Sequence, residues 1–256
     1  MDASTPSLAA LLLGSLLVSA PAAVAGGGAP IQPEFRLVNF HAPLVIDNIF
    51  SPMQPGTGAV FHELEDGECK VNDVVVTAAV KGDFHGAYAG LAARAVSDKV
   101  WADPACDGKR GTLLEDTIDW FGQDNGGNVW YFGENTIEYL FDDAGHPIGA
   151  TREGSWQAGT DGARAGIVMF EHPVAGTFYR QEFSAGVADD AALIEKVDVR
   201  IATPLGRFRE CIKTRETTAL SPGDVEYKLY CKNIGLVRVE SPTVHGGAEL
   251  VQFGLR

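Results

Sequence analysis

The sequence predicts an all-β protein, an antiparallel meander curved into a half-barrel or barrel of roughly ten strands. Three observations carry this. Short runs alternate apolar and polar residues, Gly, Pro, Asp and Asn punctuate them at close intervals, and almost no segment sustains a helical period. No fixed-period repeat points to a solenoid or propeller.

The first stretch is read as separate from that fold. "SLAALLLGSLLVSAPAAVAG" is an apolar run broken by Pro21 and closed by Ala23-Val24-Ala25, a small-x-small pattern. It predicts a secretory signal peptide over residues 1–25, although the start carries Asp2 and no Lys or Arg. The apolar core, Leu8 to Val18, is too short to span a bilayer. No Cys follows the cleavage site to accept a lipid anchor. Residues 26–33 are rich in Gly and Pro and predict a flexible mature N-terminus, leaving 34–256 as one all-β domain.

The strands follow in order. "CKVNDVVVTAAV" ends at the turn "KGDFHG", and "AYAGLAARAVSDKVW" reads as a strand despite its alanines. "GTLLEDTIDWFGQ" and "NVWYFGENTIEYLF" flank the turn "DNGG". "IGATREGSWQ", the loop "AGTDGARAG" and the strand "TFYRQEFS" come next, and "AGVADDAALIEK" is the one candidate for a helical turn. "KVDVRIATP", "GRFRECIKTRETTAL", "DVEYKLYCKN", "GLVRVES" and "AELVQFGLR" complete the meander.

The net charge is −14, and signal cleavage removes only Asp2 from that balance. Such a surface repels nucleic acid and anionic lipid, so neither is an expected partner. The product reads as exported, periplasmic or extracellular, with no membrane span after cleavage. Export makes disulfides the default for Cys69, Cys106, Cys211 and Cys231. A hairpin over 71–80 and 88–101 places Cys69 beside Cys106, and the arms around Ser221-Pro222-Gly223 place Cys211 beside Cys231. Direct pairing of the second couple puts Lys213 and Arg215 on the face of Val225, Tyr227 and Leu229, a conflict that a bulge would resolve.

"EDTIDWFGQDNGGNVWYFGENT", "EGSWQAGTDGARAGIVM", "YRQEF" and "VEYKLYCKNIGLV" together resemble a family of secreted bacterial proteins, as does "NIFSPMQPGT" upstream. The resemblance covers about residues 45 to 240. It implies an all-β domain and no particular reaction. Cys69, Cys106 and Cys231 are additions to the family's pattern.

Signatures of common enzymes are missing: the sequence has no G-x-S-x-G, H-E-x-x-H, P-loop or Rossmann glycine motif. Six scattered histidines suggest no metal site, and no cofactor is expected. "DNGGN" fails the EF-hand spacing, with Val129 at the sixth position and Asn135 at the twelfth, and is read as a hairpin loop.

Two groups of candidates remain. Trp120, Trp130, Tyr131, Phe132 and Trp156, with Arg180, are candidates for lining a ligand site. Asp119, Glu134, Glu153 and Glu182 are carboxylates on successive strands and candidates for acid–base work. If Gln123 faces Asn128, Phe121 opposes Trp130, Asp119 opposes Phe132, and Trp120 faces Tyr131 on the other side; a slip of one residue reverses this. The favoured expectation is an exported, non-catalytic protein that binds an apolar or amphipathic small ligand. The alternatives are a carboxylate-dependent hydrolase of a sugar-type substrate and a structural surface protein without ligand.

Overall fold

The computed structural model describes residues 28–256. The expected signal peptide, with Gly26 and Gly27, lies outside the described residues. The strands are β1 Thr57–Glu65, β2 Glu68–Lys81, β3 Ala93–Ala102, β4 Leu113–Gln123, β5 Val129–Phe141, β6 Pro147–Thr151, β7 Trp156–Gln157 and β8 Arg164–Met169. They continue as β9 Phe178–Arg180, β10 Glu182–Phe183, β11 Asp190–Thr203, β12 Gly206–Thr218, β13 Glu226–Cys231, β14 Gly235–Ser241 and β15 Gly246–Leu255. Fifteen strands replace the expected ten, because several are very short. The stretch expected to hold a helical turn opens with a turn over 185–187, where the Val187 and Ala188 N–H groups both donate to the Ser184 carbonyl at 2.9 Å, and then runs into β11 with Ala188, Ala191 and Ala192 buried.

All strands join one antiparallel sheet in the order β10-β8-β5-β4-β3-β2-β1-β15-β14-β13-β12-β11-β9, with β6 and β7 added on β5. The two ends of this path are β9 and β10, separated along the chain by Gln181 alone. The Gln181 N–H donates to the Asp190 carbonyl at 2.8 Å across that seam. The sheet therefore curls back on itself as a barrel, which satisfies strand edges internally.

The segment before β1 packs on the outside of the barrel through Phe35 and Phe40 and reaches the lumen's apolar end at residues 51–53. Ile31 pairs with Tyr179 beside the seam, and Gln32 Nε2 donates to the Ala165 carbonyl at 3.3 Å. The end of the segment expected to be flexible is thus tied to the barrel. Phe35 and Phe40, with Phe84 and Tyr88 from the β2–β3 connection, pack on Phe132. The core accordingly has two layers, one outside the wall under this strap and one inside the barrel.

Both expected disulfides are formed, Cys69–Cys106 and Cys211–Cys231. Cys211 faces Cys231 directly, as do Lys213 and Leu229, and Arg215 and Tyr227. No bulge separates them. The Lys213 ammonium sits 4.0 Å from the centre of the Tyr227 ring and pairs with Glu240 at 3.2 Å, so charge and aromatic share that outward face without conflict. Other ion pairs on the wall join Arg110 to Asp73 at 2.7 Å, Lys99 to Asp116 and Arg238 to Glu249. These are charges that a lipid-facing band excludes. Among the described residues no helix is long and apolar enough to cross a membrane.

Candidate functional site

The ladder registers assign the inward face of each strand. Val76, Val96, Asp119 and Glu134 form one lateral row, and Ala59, Val74, Asp98, Thr117 and Thr136 form the next. Successive inward positions then change chemistry in a consistent sense. Phe61 gives way to Glu63 in β1, Val74 to Asn72 in β2, Val96 to Asp98 in β3 and Phe121 to Asp119 in β4. Tyr131 gives way to Glu134 in β5, Ala192 to Asp190 in β11, Ile212 to Thr214 in β12 and Tyr230 to Lys228 in β13. Residue numbers rise in one strand and fall in its antiparallel neighbour, so every change points toward the same end of the barrel. The lumen has an apolar half and an acidic half.

A glycine-dependent bulge sets the β4–β5 part of this pattern. Asp119 faces Glu134 and Phe121 faces Tyr131, with the register shifting between the two pairs. Gly133 absorbs the shift at φ +123°, where a Cβ would stand 2.2 Å from the Trp156 carbonyl oxygen. The loop itself is one residue longer than expected, so Gln123 faces Val129 and Phe121 faces Tyr131 instead of Asn128 and Trp130, and the bulge adds a second shift that sets Asp119 opposite Glu134 instead of Phe132. The bulge turns Tyr131 and Glu134 into the lumen together and leaves Trp130 and Phe132 outside.

The acidic half is almost sealed from solvent. Asp119 and Glu182 have no exposed surface and Glu134 retains 4%. Burial pushes the carboxyl of each well above the usual range, and neighbouring carboxylates add to the push. Burial likewise raises Glu63 to about 8, Asp98 to about 7 and Asp190 to about 6. The hydrogen-bond chain requires protonation independently. Glu115 Oε1 lies 2.8 Å from Thr117 Oγ1, which lies 3.0 Å from Thr136 Oγ1, which lies 3.1 Å from Glu134 Oε2. Three links need three protons and the two hydroxyls supply two, so one of the carboxyls holds the third.

One cation anchors the other side of this half. Lys228 is buried and pairs with Glu216 at 3.0 Å and Glu226 at 3.5 Å. Burial opposes its charge, but those carboxylates outweigh it and hold the ammonium above the ordinary lysine range. Glu216 also accepts from Thr214 Oγ1 at 2.7 Å.

At the apolar end lies a small cavity of about 80 Å³. Met53, Phe61, Val76, Val96, Leu236 and Phe253 are prominent in its wall, and no charged side chain lines it. The segment Ser51–Met53 and the turn at Ile234 and Gly235 border it.

The structure distributes the sequence candidates over three places. Asp119, Glu134, Glu182, Tyr131 and Trp156 converge in the acidic half, with Tyr131 and Trp156 ring centres 5.4 Å apart. Trp130 and Phe132 join the outer layer, where Trp130 Nε1 donates to Asp124 Oδ2 at 2.8 Å. Trp120 faces outward, with the Lys81 ammonium 4.6 Å from its ring centre. Arg180 pairs with Asp189 and stacks near Phe183, and Glu153 stands exposed on a turn. None of the six residues expected to contact ligand lines the apolar cavity. Among the described residues no cluster of His, Cys, Asp and Glu is arranged to hold a metal ion.

No family model matches the chain, and the curated proteins contain no match. Among solved structures, it is similar to a provisionally named lipoprotein from Parabacteroides distasonis, at 16% identity and a TM-score of 0.43. That likeness covers 81% of this chain and 99% of the other.

Sequence reasoning missed Glu63, Asp98, Glu115, Asp190, Glu216 and Lys228. The signal was present in runs such as "EDTIDWF" and "VEYKLY", where polar residues recur at every second position, Glu115, Thr117 and Asp119 in the first and Glu226 and Lys228 in the second. Alternation alone does not say which face is inside.

Proposed function

We propose that this chain is an exported β-barrel binding protein that holds the apolar part of a small ligand in the cavity at the apolar end of its lumen. The observation that carries this is the cavity itself, a recess at the apolar end of the lumen that no charged side chain lines. Its volume is about half that of an engineered cavity that binds benzene, so it takes the end of a narrow alkyl chain rather than a ring or a whole lipid. The paired cysteines, the leader-like first 25 residues and the resemblance to secreted proteins support export, to the periplasm or beyond.

A carboxylate-dependent hydrolase would need its acid and base to border an open cleft. Asp119 and Glu134 face each other but are enclosed, so the geometry favours binding over hydrolysis. The test is calorimetric titration of the mature chain with 1-hexanol, beside a Val96→Phe variant that fills the cavity. The reading expects saturable binding by the wild type and its loss in the folded variant. Equal binding by both would sink it.

A further inference from the structure

The acceptors beneath the cavity identify the chemical class of ligand, an inference that rests on the binding reading above. Val74 and Phe61 line the cavity. The lateral neighbour of Val74 is Asp98 and that of Phe61 is Asn72, while Glu63 is the next inward residue after Phe61. These three polar side chains are at most 5% exposed. Asn72 Nδ2 donates to Asp98 Oδ1. Asn72 Oδ1, Asp98 Oδ2 and both Glu63 carboxyl oxygens are buried without a hydrogen-bond partner. A buried acceptor without a donor costs free energy, and these stand one residue beyond the apolar wall.

The nearest cations, Lys70 toward Glu63 and Lys228 toward Asp98, attract these carboxylates but donate no hydrogen bond to their open oxygens. Lys70, beside Glu63, pairs with Glu65. Lys228, on the far side of the lumen from Asp98, pairs with Glu216 and Glu226. Asp73, Glu65 and Glu226 also lie near Glu63 and Asp98, each with a cation of its own. A ligand head entering here meets open acceptors in excess of open donors.

We infer that the ligand is a cationic amphiphile, a primary amine whose alkyl chain occupies the cavity and whose ammonium donates to Asp98, Asn72 and Glu63. A primary ammonium brings three donors and no acceptor, which matches this set. A fatty carboxylate of the same length brings only acceptors and negative charge. Asp98 and Glu63 hold protons near neutrality, so a bound ammonium displaces protons and binds more tightly as pH rises from 6 to 8. The amine itself stays charged over that range, given the usual pKa of about 10 for an alkylammonium group.

The experiment is calorimetric titration of the mature chain with n-octylammonium, 1-octanol and octanoate at pH 6 and pH 8. The expected result at pH 8 is octylammonium binding about tenfold tighter than octanol, the gain typical of a charge-assisted hydrogen bond. Octanoate should bind most weakly, and the advantage of the amine should shrink at pH 6. Asp98→Asn should bring octylammonium to the level of octanol and leave octanol unchanged. If that variant does not fold, Glu63→Gln and the wild-type pH comparison carry the same test. Octanol and octylammonium of equal affinity at both pH values overturn the amine inference and leave the cavity reading standing. Failure of all three probes to bind wild type overturns the cavity reading and this inference with it.

Discussion

The hydroxyl of Tyr131 donates to Asp119 Oδ1 at 2.8 Å inside the barrel, on the only side of Asp119 that is satisfied. Asp119 Oδ2 is buried without a partner, and Glu134 occupies the facing position. The arrangement tolerates a neutral carboxyl far better than a charged one.

Stability should therefore fall as pH rises. The lumen carboxyls hold protons in the folded chain at pH values where the unfolded chain has released them. The native state binds more protons between about pH 4, the unfolded range, and the folded values near 6 to 8. The stabilising effect of protonation is complete below that window and is lost across it. Urea unfolding at pH 5 and pH 8 should give the higher midpoint at pH 5; the reverse order would refute protonation of the lumen.

Asp119→Asn mimics the protonated side chain and removes the charge. It should be close to neutral at pH 5 and stabilise by about 1 kcal/mol at pH 8, with one step of the pH dependence gone. A large loss of stability at pH 8 would mean that the carboxylate form is needed.

Lys228→Met should be among the most damaging substitutions, costing about 3–5 kcal/mol by leaving Glu216 and Glu226 uncompensated. Adding Glu216→Leu should recover part of that loss. A double-mutant cycle without coupling would show that the ion pair is dispensable.

Trp130→Ala should destabilise by about 3–5 kcal/mol, because the indole packs on Phe35 and Phe40 under the strap. Binding of 1-hexanol by the fraction that remains folded should be unchanged. Loss of binding with little loss of stability would move the ligand site to the outer layer.

The all-β class was legible because alternation and turn residues are local signals. The disulfide pairs were legible for a similar reason, since hairpin arms bring Cys211 to Cys231 and Cys69 to Cys106. The register of the β4–β5 hairpin was not, because the loop length alone moves it by one residue and the Gly133 bulge, set against the Trp156 carbonyl of another strand, moves it again. "AGVADDAALIEK" suggested a helical turn by composition, but in the barrel Ala192 and Ile194 face the lumen and are buried. The acidic lumen was hidden by a sound rule applied to the wrong side. Charged residues in an alternating strand are normally the solvated ones, and here Asp98, Glu115 and Lys228 point inward.

The most direct test of the central claim is crystallography of the mature chain under xenon pressure, since xenon enters apolar cavities that accept apolar ligands. The account predicts a xenon atom among Met53, Phe61, Val76, Val96 and Leu236, and none among the lumen carboxyls. An empty cavity with xenon bound elsewhere on the barrel would contradict it.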